Sequence, residues 1–70
     1  MQVQLPPSYE IANIVRDLGQ PSEEDVVEAV EEANPGLGHF YSRGAVLSAR
    51  EKGAVRSEGD TWYATEGRTH

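Results

Sequence analysis

The sequence predicts a single α+β domain in which three short helices are followed by a two-stranded β-hairpin. Two segments of the first half carry apolar residues at helical spacing, and glycine and proline separate them. After Gly53 the pattern changes to two β-rich segments around a turn, residues 54–56 and 61–65. Seventy residues suffice for one small hydrophobic core, and no internal repeat or low-complexity segment divides them.

The first helix is predicted over residues 8–18. Pro6 and Pro7 cannot lie inside a helix, and Ser8 follows them as the expected N-cap. Gly19 ends the helix, and a proline two residues later prevents it from continuing. Its apolar residues occur at i, i+3, i+4 and i+7, which predicts one buried face: Ile11, Ile14, Val15 and Leu18.

The second helix is predicted over residues 22–33, with Ser22 as its N-cap. Acidic residues fill its first turn, where the helix dipole favours negative charge. Pro35 and Gly36 end it near Asn34. Its apolar residues occupy one face, so we expect the acidic residues to form a solvated face rather than a metal site: Glu24, Asp25, Glu28, Glu31 and Glu32.

The third helix is predicted over residues 41–52, after a loop in which Leu37 and Phe40 serve as apolar anchors. Gly44 lies inside this helix and costs about 1 kcal/mol relative to alanine, so a requirement other than helix propensity must favour it. Gly53 ends the helix, and a hairpin over residues 54–65 follows, with turn composition at residues 57–60.

A core that joins all four elements can be predicted from these patterns. Trp62 is expected to cover that core rather than to stack on a partner, because it alternates with Tyr63 across its strand. The predicted core comprises Ile11, Ile14, Val15, Leu18, Val26, Val30, Val46, Val55 and Trp62.

Three helices followed by a hairpin form the winged helix-turn-helix layout, and the second half of the chain resembles that family in detail. Residues 49–56 read Ala-Arg-Glu-Lys-Gly-Ala-Val-Arg, and residues 58–67 read Glu-Gly-Asp-x-Trp-Tyr-x-Thr-x-Gly. These motifs are similar to the end of the recognition helix and the wing of small MarR-like and phage-repressor-like regulators. Ala49 and Ala54 stand where leucine is usual in that family. The resemblance implies a DNA-binding domain covering residues 1–70.

The resemblance makes the third helix the candidate for insertion into the major groove. Arg43, near its start, is the best candidate for a base edge, because arginine can bind guanine bidentately. The alternative for Arg43 and Arg50 is that their methylene groups cover the core while their charges stay in water. Side chains at further positions are expected to contact the phosphate backbone: Tyr41, Ser42, Ser48, Lys52 and Arg56.

The charge of the chain is unevenly distributed. Twelve acidic and six basic residues give a net charge of −6, and five of the six bases lie in the second half. A DNA-binding surface requires that Arg43, Lys52 and Arg56 share one side of the fold. The acidic residues of the second helix should then face elsewhere: Glu24, Glu28, Glu31 and Glu32.

The expected function is sequence-specific binding of double-stranded DNA by a small transcriptional regulator. The alternative is a winged-helix module that binds protein through its acidic second helix or the surface at residues 41–47. One module makes few DNA contacts, so useful affinity requires a homodimer, through residues 2–5, or a partner protein. No motif predicts an enzyme, a cofactor or a metal site. No apolar run could span a membrane, and a cytoplasmic location is expected.

Overall fold

The computed structural model describes residues 4–65 and confirms the predicted fold class. Three helices, α1 (Ser8–Leu18), α2 (Glu23–Ala33) and α3 (His39–Glu51), precede a hairpin of β1 (Val55–Glu58) and β2 (Thr61–Ala64). The arrangement is winged-helix-like. Gly67 of the wing motif lies outside the described residues, as do the first two residues of the segment at residues 2–5 that is predicted for dimerisation.

Helix α1 has the predicted bounds but a different cap. Pro7 is the N-cap residue, in extended conformation, and its carbonyl oxygen accepts from the main-chain N–H groups of Glu10 and Ile11. The prediction that Ser8 caps this helix is wrong, because no side chain makes a capping hydrogen bond there. Gly19 ends α1 in the left-handed region, at φ 72°, where glycine carries no steric penalty.

Helix α2 is capped as the sequence predicts. The Ser22 hydroxyl accepts from the Asp25 N–H at 3.2 Å, and the Asp25 carboxylate accepts from the Ser22 N–H at 3.3 Å. This reciprocal pair is a capping box, with aspartate in the place of the more usual glutamate. The cap fixes the start of α2 at Glu23, and residues 19–22 form the loop that joins it to α1.

Helix α3 begins two residues earlier than predicted. Gly38 is its N-cap, at φ 89°, and the Gly38 carbonyl oxygen accepts from the Ser42 N–H at 3.0 Å. His39 and Phe40 therefore belong to the first turn of the helix instead of the preceding loop. The glycine allows the chain to enter the helix from a conformation that other residues rarely adopt.

The hairpin is held to the helices by main-chain hydrogen bonds. Its strands pair antiparallel from Val55 opposite Ala64 to Glu58 opposite Thr61, which leaves a two-residue turn instead of the expected four. The Trp62 N–H donates to the Pro21 carbonyl oxygen at 2.8 Å, beside the start of α2. The wing is thereby fixed against the loop between α1 and α2.

The core contains seven of the nine residues predicted for it, among them Trp62 and Val55 of the hairpin. The prediction is wrong for Leu18, which is 45% exposed, and for Ile14, which is half-buried. The buried face of α1 is centred on Ile11, Ala12 and Val15, so Ile14 lies at its edge and Leu18 at the end of the helix. Small residues complete the core: Ala12, Val27, Ala45 and Ala49.

Candidate functional site

The side of α3 that points away from the core forms a surface of its own. The buried residues of α3 are Ser42, Ala45, Val46 and Ala49. On the opposite side, at about 100° per residue, five residues lie within about 60° of Gly44 around the helix axis. The five residues are Phe40, Tyr41, Leu47, Ser48 and Glu51, and together with Gly44 we call them the outer face of α3.

Two aromatic rings dominate the outer face. Phe40 is 81% exposed, more than any other large hydrophobic residue of the described chain, and Tyr41 is 44% exposed. Their rings contact each other edge to face, with centroids 5.5 Å apart. Leu47, one turn beyond Gly44, packs against the core but stays half-buried. An apolar strip therefore runs along the exposed side of α3.

Gly44 has no packing role within the part of the chain that the structure describes. A Cβ atom built at this position meets no atom within 4 Å, outside the helix's own nearby backbone and the adjacent residues, and its φ is not in the left-handed region. Alanine would fit without strain and would raise helix propensity by about 1 kcal/mol. The glycine leaves open space on the outer face between Phe40 and Leu47.

Arg43, the candidate for base contact, is bound to an acidic residue of α2. Its Nε donates to the Glu23 carboxylate at 2.9 Å, and both side chains are partly exposed. A surface cleft at the same place is lined by Arg43, Glu23, Glu24, Val27 and His39. The N-terminal turns of α2 and α3 thus bring opposite charges together.

The prediction that the glutamates of α2 face away from Arg43 is wrong for Glu24, which shares the Arg43 cleft. Glu31 also reaches α3, where its carboxylate lies 2.7 Å from the His39 ring nitrogen Nδ1. Glu28 and Glu32 line a separate cleft beside the loop between α1 and α2. Helices α2 and α3 pack closely, so carboxylates on the near edge of α2 border the start of α3.

Ser42 cannot serve as a phosphate contact, contrary to the prediction. Its side chain is fully buried, and no hydrogen-bond partner for its hydroxyl is found in the described part of the chain. Residue 42 lies on the same side of α3 as Val46 and Ala49, which face the core. Ser48, another predicted contact, is half-buried on the outer face.

The remaining basic residues of α3 and the wing lie at the surface. Arg56 is exposed, its guanidinium lies 4.6 Å from the centroid of the Tyr63 ring, and it pairs with Glu58. Arg50 donates to the Ser57 hydroxyl at 3.2 Å and lies over the Trp62 ring at 5.4 Å. Arg50 therefore ties α3 to the hairpin through its guanidinium. Lys52 is exposed, and no ion pair is found for it within residues 4–65.

Acidic residues also gather where the wing tip meets α2. Gly59 and Asp60 of the turn share a cleft with Ser22, Glu23 and Glu24 at the start of α2. Helix N-termini favour anions, but the three acidic residues in the first turn of α2 already occupy that role. A phosphate approaching this edge would meet carboxylates.

The sequence indicates residues 41–47 as one alternative protein-binding surface, but Phe40 is missed because it is placed in the loop before the helix as an apolar anchor. The signal was present in the spacing: Phe40, Gly44, Leu47 and Glu51 occur at i, i+4, i+7 and i+11. That spacing is helical, and it lies opposite the stripe of small buried residues on the same helix.

Comparison of the chain with protein-family models, with curated proteins and with solved structures finds no match. The winged-helix-like arrangement therefore rests on the structure alone. No group of three or more potential metal ligands occurs among residues 4–65. Over the same residues, no helix is long and apolar enough to cross a membrane.

Proposed function

We propose that this domain is a protein-interaction module that binds its partner through the outer face of α3. The observation that carries the proposal is the exposure of Phe40, at 81%, on a helix face that also presents Tyr41 and Leu47. Scattered exposed apolar residues are normal on proteins, but these lie together on one helix. Aromatic side chains at the centre of a contact are the usual source of binding energy between proteins.

Gly44 supports the same proposal. Its position costs helix stability and brings no packing benefit among the described residues. A glycine on an exposed helix face lets another backbone approach closely. The loss of helix stability at Gly44 is explained if the backbone that approaches it belongs to a partner protein.

Charge favours a protein partner over nucleic acid. Arg43 and Arg56 each pair with a carboxylate of this chain, and Glu51 lies on the outer face itself. Exposed ion pairs are weak, so a phosphate could compete for either arginine. The displaced carboxylates would nevertheless remain nearby, and with a net charge of −6 they would oppose a DNA backbone.

Site-specific photocrosslinking in cells that express the chain tests this proposal. A photoreactive phenylalanine analogue at position 40 should form protein adducts, whereas the same analogue at the exposed position of Asp17 on α1 should not. The two variants differ only in which surface carries the probe. Adducts to nucleic acid alone, or equal protein adducts from both positions, would contradict the proposal.

Double-stranded DNA binding is the second candidate. The winged-helix-like arrangement and the exposure of Arg43, Lys52 and Arg56 favour it. Binding of a random duplex should then weaken steeply with salt, because each phosphate contact releases a counterion. On a specific site, Arg43→Ala should cost about 1–3 kcal/mol, while Lys52→Ala should weaken all sequences alike. Failure to bind duplex DNA at low salt would exclude this candidate.

A further inference from the structure

We infer that the partner of the outer face is a second copy of this chain, with the two α3 helices antiparallel and crossing at Gly44. The inference rests on the proposed function and names its partner. Three features of α3 favour such a pair: the position of Gly44, the spacing of the apolar residues, and the chemistry of the two helix ends.

Gly44 lies almost at the middle of α3, which runs for 13 residues from His39 to Glu51. An antiparallel crossing at this point superposes the two helices over almost their full length of about 20 Å. Small residues at a crossing point let helix backbones approach more closely than the usual 8–10 Å. Since no other part of residues 4–65 uses the space beside Gly44, that space is open to the second helix.

The apolar residues match under this symmetry. In an antiparallel pair centred on Gly44, two-fold symmetry brings the residues before Gly44 to the height of those after it and keeps each flank of the helix on its own side. Phe40 and Leu47 share one flank, so Phe40 of one copy meets Leu47 of the other, and Tyr41 meets Ser48 on the other flank. Each contact occurs twice, as in any interface with two-fold symmetry. The arrangement covers both exposed rings at once.

The ends of the helices are complementary as well. Glu51 lies on the outer face, seven positions after Gly44, and therefore falls opposite the start of α3 in the second copy. That start has no side-chain cap and no acidic residue in its first turn. The carboxylate of Glu31 is nearby, but it binds the His39 ring. Glu51 of the second copy would supply the negative charge that the N-terminus of α3 favours.

The charges of the two copies partly oppose the contact. The two Arg43 side chains would lie on the same side of the crossing, where their pairs with Glu23 reduce the repulsion. Each chain carries −6, so two copies repel at long range, and added salt screens that repulsion. Because this repulsion opposes the contact, we expect a Kd between about 10 µM and 1 mM.

Sedimentation equilibrium over a concentration series of the full chain, at low and at moderate salt, tests the inference. Dimers should form and should become more abundant with salt, the reverse of the salt dependence of DNA binding. Gly44→Gln should raise the Kd at least about tenfold, because the inserted side chain holds the helices apart. Ala33→Gln, which adds the same side chain at an exposed position of α2, should leave the Kd unchanged.

A charge substitution tests the antiparallel arrangement separately. Glu51→Lys should weaken the dimer, whereas Glu28→Lys, with the same change in net charge, should leave it unchanged or strengthen it. Circular dichroism of each variant establishes that it remains folded.

The outcomes separate this inference from the proposed function. A chain that stays monomeric up to about 1 mM at both salt concentrations overturns the inference, since even a weak interface would associate there. The proposed function is then tested by the crosslinks from position 40 alone. Those crosslinks would identify a partner protein other than a second copy of this chain. A dimer that is indifferent to Gly44→Gln and to Glu51→Lys uses another surface, and also overturns the inference.

Discussion

Helices α2 and α3 pack against each other, yet their exposed sides differ in charge, in apolar content and in the way the helix begins. The surface of α2 is acidic, and Ser22 and Asp25 cap its start in the reciprocal way that stabilises a helix. The outer face of α3 carries two aromatic rings and a glycine, and no side chain caps its start. Each feature of α2 supports the fold of the domain. On α3, the glycine and the uncapped start cost stability instead, and a partner outside the domain would explain them.

The largest expected effect comes from the core that both helices share. Trp62→Ala should lower the free energy of unfolding by about 3–5 kcal/mol, because Trp62 is 2% exposed and packs where the hairpin meets the helices. A domain of this size has few kcal/mol of stability in total, so the variant should be largely unfolded. Chemical denaturation followed by circular dichroism measures the effect. A loss below 1 kcal/mol would show that the hairpin is not part of the core.

The second prediction tests the cap of α2. Ser22→Ala removes the hydroxyl that accepts from the Asp25 N–H and should cost about 1 kcal/mol. Ser8→Ala is the matched control, because Ser8 follows the N-cap of α1 and makes no capping bond. It should change stability by less than about 0.5 kcal/mol. Equal losses from the two variants would contradict the difference between these helix starts.

The bounds of α1 and α2 could be predicted because local chemistry sets them. Ser22 and Gly19 act on residues one to four positions away, so their effects can be inferred from the sequence alone. The hairpin could be located for the same reason, since Gly59 lies in its turn at φ 61°.

The candidate site could not be predicted in the same way, because it depends on contacts between distant residues. Arg43 and Glu23 are twenty positions apart, and only the packing of α2 on α3 brings them within hydrogen-bond distance. The burial of Ser42 likewise follows from the rotation of α3 about its axis. Because the sequence predicts the start of α3 two residues too late, Phe40 falls outside the predicted helix and the predicted apolar strip is incomplete.

The third prediction concerns Gly44. Gly44→Ala should raise the free energy of unfolding of the monomer by about 1 kcal/mol, because alanine is the better helix former and a Cβ atom meets nothing there. Thermal unfolding at a concentration low enough to exclude association measures this gain. The same variant should bind its partner less tightly. A single substitution would then raise the stability of the monomer and lower its affinity for the partner. A loss of stability would mean that the fold itself requires glycine.

The smallest effect on stability is expected at the most exposed residue. Phe40→Ser should change the free energy of unfolding by less than about 0.5 kcal/mol, because an 81% exposed ring contributes little to the core. Removal of the ring should nevertheless abolish partner binding, because one aromatic anchor commonly contributes 2 kcal/mol or more to an interface. The matched control is Tyr9→Ser on α1, a 52% exposed aromatic residue outside the outer face, which should affect neither quantity. Measuring stability and association on the two variants side by side decides whether α3 carries the function. If Tyr9→Ser impaired binding as much as Phe40→Ser, the functional surface would not be confined to α3.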